Sequence, residues 1–334
     1  MKNNEKIWSI YVGMGYSKDD EDKERAPFDE DVWNYIIDEA EKCGMNTIML
    51  EIDNAIVFHS HPEIAAKGAW TQTKLKMELA KCRAKNLTVI PMINFASPHD
   101  QWLLEHHRKL CTSEYYQVCN DIIKEVYEMF EHPEYINIAM DEEDAKHVKR
   151  DELAVYRQGE LYWHDLRFLI DCVKATGAKP WMWADPLFDH PEEYMARFEP
   201  DEAVLSPWYY NAFRNEHWTP VTSNPNYVAY YNEGEYASMG IEYVEEDPFL
   251  VNFRKVALPL MKNGYKYVPC ASVCNFCDYN HMELLEYFKE NAPDDQVVGF
   301  MSAPWRPLAK EFKWFYEDTF KFFKEAIDKN YKMC

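Results

Sequence analysis

Short apolar runs alternate with longer stretches of helical period along the 334-residue chain. Eight runs read as strands. They are residues 7–14 (IWSIYVGM), 46–53 (NTIMLEID), 87–95 (LTVIPMINF) and 135–141 (YINIAMD), then 179–185 (KPWMWAD), 203–210 (AVLSPWYY), 265–273 (YKYVPCASV) and 297–305 (VVGFMSAPW). The clearest helix is DEDVWNYIIDEAEKCG, where Val32, Ile36, Ile37 and Ala40 share one face and Gly44 ends the pattern. Similar stretches follow the other strands, with PEEYMARF the least regular of them. Eight strand–helix units predict an α/β fold, a (β/α)8 TIM barrel forming a single domain over residues 1–334. Several strands are almost continuously apolar, as strands covered by helices should be. The charged stretch SKDDEDKER reads as a solvated loop after strand one, and residues 212–246 as an insertion after strand six that walls a cleft.

In such a barrel, chemistry belongs to the C-terminal ends of the strands. Glu51 and Asp53 stand there on strand two, Asn94 with His99 and Asp100 on strand three, and Asp141 and Glu142 on strand four. Strand five brings Trp183 and Asp185, strand six Trp208, Tyr209 and Asn211, and strand eight Trp305 and Arg306. Alternation on strand four puts Ile136, Ile138 and Met140 against helices and Asn137, Ala139 and Asp141 toward the barrel axis. Glu142 then reaches over the rim, while Glu143 and Asp144 read as solvated or helix-capping. Two adjacent carboxylates in different environments can titrate differently, as glycoside hydrolysis requires of its acid and its charge-stabilising partner.

Composition narrows the partners. A net charge of −22 argues against nucleic acid and anionic membranes. No apolar run follows the polar start MKNNEK, no stretch is long enough to span a bilayer, and nine scattered cysteines fit reduced thiols, so a cytoplasmic location is expected. Eleven Trp and twenty-three Tyr suit stacking against sugar rings, although large cores use them too.

The strand-four segment INIAMDE resembles the H-x-G-x-D-E strand of family 20 glycoside hydrolases, the β-N-acetylhexosaminidases. VIPMINFASPH, WMWAD, LSPWYYN and MSAPW resemble that family's strands three, five, six and eight, in the same order. The resemblance implies retaining, substrate-assisted cleavage of a terminal β-linked N-acetylhexosamine or related amino sugar, with no cofactor and no metal. It implies Glu142 as general acid/base, Asp141 as the orienting carboxylate for the acetamido nitrogen, Tyr209 as donor to the acetamido carbonyl, and His99 as support. Trp183, Trp208 and Trp305 would wall the sugar pocket, with Glu51, Asp53, Asn94, Asp185, Asn211 and Arg306 completing it. The chain departs from the pattern where strand one lacks the family's Arg, where Asn137 and Ala139 replace His and Gly, and where Asn211 replaces Asp. Contacts to the outer hydroxyls are therefore expected to be rebuilt, with Arg306 or the strand-two acids gripping a charged or unusually linked sugar.

Other readings compete with this one. His59 and His61 near Asp53 would serve a metal-dependent barrel hydrolase or isomerase. A barrel that binds carbohydrate without turnover would also use these aromatics. Cys270, Cys274 and Cys277 have iron–sulfur spacing, but at strand seven rather than strand one, and read as buried or rim thiols. The expected partner is a small carbohydrate. The aromatic helix FKWFYEDTFKFF packs inward or on another copy, which leaves an oligomer open.

Overall fold

A computed structural model describes residues 6–14, 28–144, 155–210, 248–273 and 277–331, with the side chains of 248–252 left out. Asn211, Cys274, the 17–25 loop and the 212–246 insertion lie outside the described residues.

Nine strand segments form one all-parallel sheet: β1 (Ile7–Gly13), β2 (Thr47–Glu51), β3 (Thr88–Met92), β4 (Tyr135–Asn137), β5 (Lys179–Trp183), β6 (Val204–Ser206), β7 (Trp208–Tyr209), β8 (Cys270–Ala271) and β9 (Gly299–Ser302). Their spatial order is β6-β5-β4-β3-β2-β1-β9-β8-β7. The nine segments fill eight barrel positions, because β6 and β7 are one strand split at Pro207. Proline has no N–H for the ladder. The first half pairs with β5 and the second with β8. Leu205 bridges to Tyr267 just ahead of β8, which closes the ring. Where β9 meets β1, Gly299 is required, since any Cβ there would collide with the Ile7 carbonyl.

The helices are α1 (Glu30–Lys42), α2 (Gln72–Ala84), α3 (Ser113–Met129), α4 (Glu160–Thr176), α5 (Pro186–Asp189), α6 (Pro191–Arg197), α7 (Pro248–Lys262), α8 (Asn280–Asn291) and α9 (Lys313–Asn330). Asp29, Thr71 and Thr112 cap the first three by accepting backbone N–H groups with their side-chain oxygens. Val32, Ile36, Ile37 and Ala40 are all buried, as their spacing predicts. Among the described residues, no helix is long and apolar enough to cross a membrane.

Strand alternation divides the core in two. Side chains such as Met49, Ile90, Trp181, Trp183, Cys270 and Met301 fill the barrel interior. Their sequence neighbours, such as Ile10, Ile48, Leu50 and Met182, join the helices in the outer layer. The sides of the barrel are thus packed, and ligand-accessible space is left to the strand ends.

Candidate active site

The first acids at the rim come from β2. Glu51 accepts a hydrogen bond from the Tyr11 hydroxyl on β1, and the Asn94 amide lies 3.5 Å from its other oxygen. Asp53 is buried, on left-handed backbone at φ 36°, and accepts the Asn94 N–H at 2.9 Å. Asn94 is fixed in turn, its carbonyl accepting the Trp102 indole N–H at 2.7 Å. Burial, and then the Glu51 charge, push the Asp53 carboxyl well above the usual carboxylate range. Burial also raises Glu51, against the opposing pull of the Tyr11 bond and of His99.

β4 supplies the second group. Ile136, Ile138 and Met140 pack outward and Ala139 inward, as alternation predicts. Regular pairing stops at Asn137 rather than running to residue 141, because Ala139, Met140 and Glu142 have φ of 59°, 61° and 51°. Left-handed backbone is costly for residues with a Cβ and tends to mark functional sites. It turns the acids together: His99 Nε2 lies 3.1 Å from Glu142 Oε2 and 3.4 Å from Asp141 Oδ2. Asp185, following β5, accepts the Glu142 backbone N–H at 3.4 Å and the Trp208 indole N–H at 3.0 Å. Burial first, then the Asp141 charge, push its carboxyl up to about 8.

Glu143 is not a solvated turn residue. It accepts both the backbone N–H and the hydroxyl of Ser97, at 2.9 and 2.6 Å, and pairs with the buried Arg157 at 3.2 Å. Arg157 also donates to Asp165 at 2.8 Å, to the Phe95 carbonyl at 3.0 Å and to the Tyr115 hydroxyl at 2.8 Å. One guanidinium thereby locks the β3 loop that carries His99 to the β4 loop that carries Glu142. Arg157 stands away from any strand end and in no motif, and only the rarity of a buried arginine marks it.

The aromatics converge from four strands. Trp183 and Trp305 lie 5.5 Å apart, Trp305 lies 4.5 Å from Tyr11, and Trp208 stacks on Tyr210 at 5.0 Å. The buried indole N–H groups of Trp183 and Trp305 have no hydrogen-bond partner. Tyr209 does not join them. As the residue between two inward-facing neighbours it points outward, packs on Phe253 and donates to Glu283 at 2.9 Å. Tyr210 faces the barrel mouth instead, 6.2 Å from Trp305. Arg306 lies with its guanidinium carbon 4.3 Å above the Phe315 ring and donates to the Trp305 carbonyl.

The residues of the metal reading separate. His59 is exposed and gives its backbone N–H to Glu125, Asp53 is tied to Asn94, and His61 contacts Glu63 and His106. Cys270 is buried in the barrel interior and Cys277 is also buried. Among the described residues, two groups bring ligand-type atoms close enough for a cation: His99 with Asp141 and Glu142, and His61 with Glu63 and His106. A cleft of about 680 Å³ opens beside β4 and β5, lined by Glu142, Asp185, Trp208, Tyr162, Phe188 and Lys255 among others. That volume suits one or two sugar rings.

No protein-family model matches the sequence, and no curated protein matches it. Solved structures do share the fold. The β-N-acetylhexosaminidase of Bacteroides fragilis superposes with a TM-score of 0.61 at 13% identity, over 97% of this chain and 69% of that one. The family 20 β-N-acetylhexosaminidase of Streptomyces coelicolor gives 0.60 at 12% identity, over 95% and 63%. The N-acetyl-β-hexosaminidase of Streptomyces plicatus gives 0.61 at 12%, over 96% and 63%. The chain thus spans less than two thirds of either Streptomyces enzyme, and the likeness is one of fold: a barrel of the kind family 20 glycoside hydrolases use.

Proposed function

We propose that the chain is a retaining glycoside hydrolase that removes a terminal β-linked N-acetylhexosamine with help from the substrate's own acetamido group. The observation that carries this reading is a single imidazole nitrogen within reach of two carboxylates, Asp141 and Glu142, at a strand end beside an indole-lined barrel mouth. The Glu142 carboxyl gives its proton to the glycosidic oxygen as the C1–O bond breaks. The acetamido carbonyl oxygen forms the new bond to C1, and the Asp141 carboxylate accepts the acetamido N–H as positive charge develops. Water then attacks C1 as its bond to the acetamido oxygen breaks and the acetamido group is restored, while Glu142 takes the water's proton, so the β configuration returns.

Tyr210 takes the role expected of Tyr209, donation to the acetamido carbonyl, because it lies on the barrel-mouth side of the strand. Asp185, its carboxyl raised by burial and by the Asp141 charge, adds less negative charge next to Glu142 than an ordinary aspartate would. Trp183 and Trp305 supply apolar faces and two unpartnered indole donors, which suits a ring with hydroxyls at its edge. With the seven described cysteines all free, we place the enzyme in a reducing compartment, acting on small glycoconjugate fragments.

Turnover of an aryl N-acetyl-β-hexosaminide by wild type, Glu142→Gln and Asp141→Asn tests the assignment. Both variants should lose most activity, and activity indifferent to both would sink the mechanism. Tight glycan binding without turnover would favour the non-catalytic carbohydrate-binding alternative.

A further inference from the structure

Outside the rim, one cluster of side chains among the described residues has metal-ligand chemistry. Glu63 Oε1 lies 3.1 Å from His61 Nδ1 and 3.1 Å from His106 Nε2. We infer that His61, Glu63 and His106 bind one divalent transition cation of the zinc class, which staples the loop after β2 to the segment after β3.

The front of the cluster has the right dimensions. Four ligands at zinc–nitrogen and zinc–oxygen bond lengths around a tetrahedral ion stand roughly 3.3 Å from one another. The three candidate ligand atoms lie within 4.8 Å of one another, so small side-chain movements close the site. Two imidazoles and one carboxylate suit zinc, cobalt or nickel better than magnesium or calcium, which prefer all-oxygen shells. Three protein ligands leave a fourth position for water.

The backs of the two rings give independent support. His61 Nε2 faces Asp121 Oδ2 at 3.6 Å, and His106 Nδ1 faces Glu114 Oε1 at 4.0 Å. Both nitrogens are buried and neither makes a hydrogen bond, and His106 is only 7% exposed. If each neutral ring gave its one proton to Glu63, its bare lone pair would face a second carboxylate. A cation on the front nitrogens reverses this. The proton moves to the rear nitrogen, on the side of Asp121 for His61 and, for His106, on the side of Glu114, whose Oε1 also accepts from Lys109 at 2.6 Å.

Position gives the site a consequence. His61 precedes the 3-10 turn Pro62–Ile64, and His106 lies within the 3-10 segment Asp100–Lys109. His99 immediately precedes that segment. The cation would therefore brace the chain that presents His99 to Asp141 and Glu142, without entering the cleft. This inference does not depend on the sugar chemistry.

The test uses the full chain, stripped of metal and titrated with zinc chloride by calorimetry, with thermal unfolding followed in parallel. Wild type should take up one equivalent and unfold at a higher temperature with zinc bound. Glu63→Gln, a change at an exposed side chain, and His106→Gln should each weaken uptake at least tenfold and abolish the thermal shift. His99→Gln should keep both, which separates this site from the rim cluster. Cobalt substitution should give the visible bands of a tetrahedral ion in wild type alone among wild type, Glu63→Gln and His106→Gln. No zinc uptake by wild type would overturn the inference. So would uptake unchanged in Glu63→Gln and His106→Gln, or uptake lost in His99→Gln.

Discussion

Two groups of carboxylates stand on the same rim, and they differ in what surrounds them. Glu51 and Asp53, after β2, are held by Tyr11 and Asn94, and Asp53 is buried. Asp141 and Glu142, after β4, meet at His99, and Glu142 with Asp185, after β5, lines the wall of a cleft. In sequence both groups read alike, as acids at strand ends. The difference lies in their partners. Asp53 is enclosed by its neighbours, whereas Glu142 keeps an open side toward the cleft, where the proposed mechanism has it exchange a proton with the substrate.

The sharpest way to break this comparison is to remove one acid from each group. Glu142→Gln should lower turnover about 10²–10⁴-fold while leaving the unfolding temperature nearly unchanged, which paired kinetics and calorimetry would register. Asp53→Asn should leave turnover within a few-fold. Equal losses would dissolve the distinction between the two groups.

Next in size is the brace. Arg157→Met leaves Glu143 and Asp165 buried without their cation, so chemical denaturation should show a loss of about 3–5 kcal/mol. Activity should fall along with stability, because the same guanidinium fixes the loops of His99 and Glu142.

Tyr210 and Tyr209 sharpen the comparison at one strand. Tyr210→Phe should cost about a hundredfold in kcat, the scale of a lost donor to developing charge. Tyr209→Phe should leave kcat alone and cost about 1 kcal/mol of stability through its bond to Glu283. The reverse pattern would restore the role that the sequence pattern assigns to Tyr209.

A separate effect is on pH dependence. Asp185 has a folded-state carboxyl raised from 3.8 to about 8. Between those values the folded state holds a proton that the unfolded chain has released. The associated stability is full below pH 3.8 and is lost as pH rises toward about 8. Asp185→Asn should flatten that part of the stability profile, measured by denaturant midpoints across the range. An unchanged slope would show that Glu51 and Asp53, also raised, carry it instead.

Much of this was legible in the sequence, and the rest has identifiable causes. Period-two alternation correctly sorted Ile136, Ile138 and Met140 from Ala139, because a strand buried on both faces cannot do otherwise. The same rule, applied to strand six, separates Tyr209 from Trp208. The family pattern hides this by placing the tyrosine directly after the tryptophan, and only the neighbouring strands and helices show which one faces inward. Pro207 was visible as a breaker, yet its result, one strand shared between two partners, depends on ring closure. Arg157 could not be found from pattern, since its partners come from four other segments. The left-handed turn at Ala139 and Met140 was likewise invisible, because neither residue type favours it.

The central claim is that the substrate's acetamido group is the nucleophile, and it is tested most directly by comparing two aryl β-hexosides that differ only at C2. Hydrolysis followed by proton NMR should show cleavage of the 2-acetamido compound with the β-anomer released first, and negligible cleavage of the 2-hydroxy compound. Comparable cleavage of both, or first release of the α-anomer, would contradict the account.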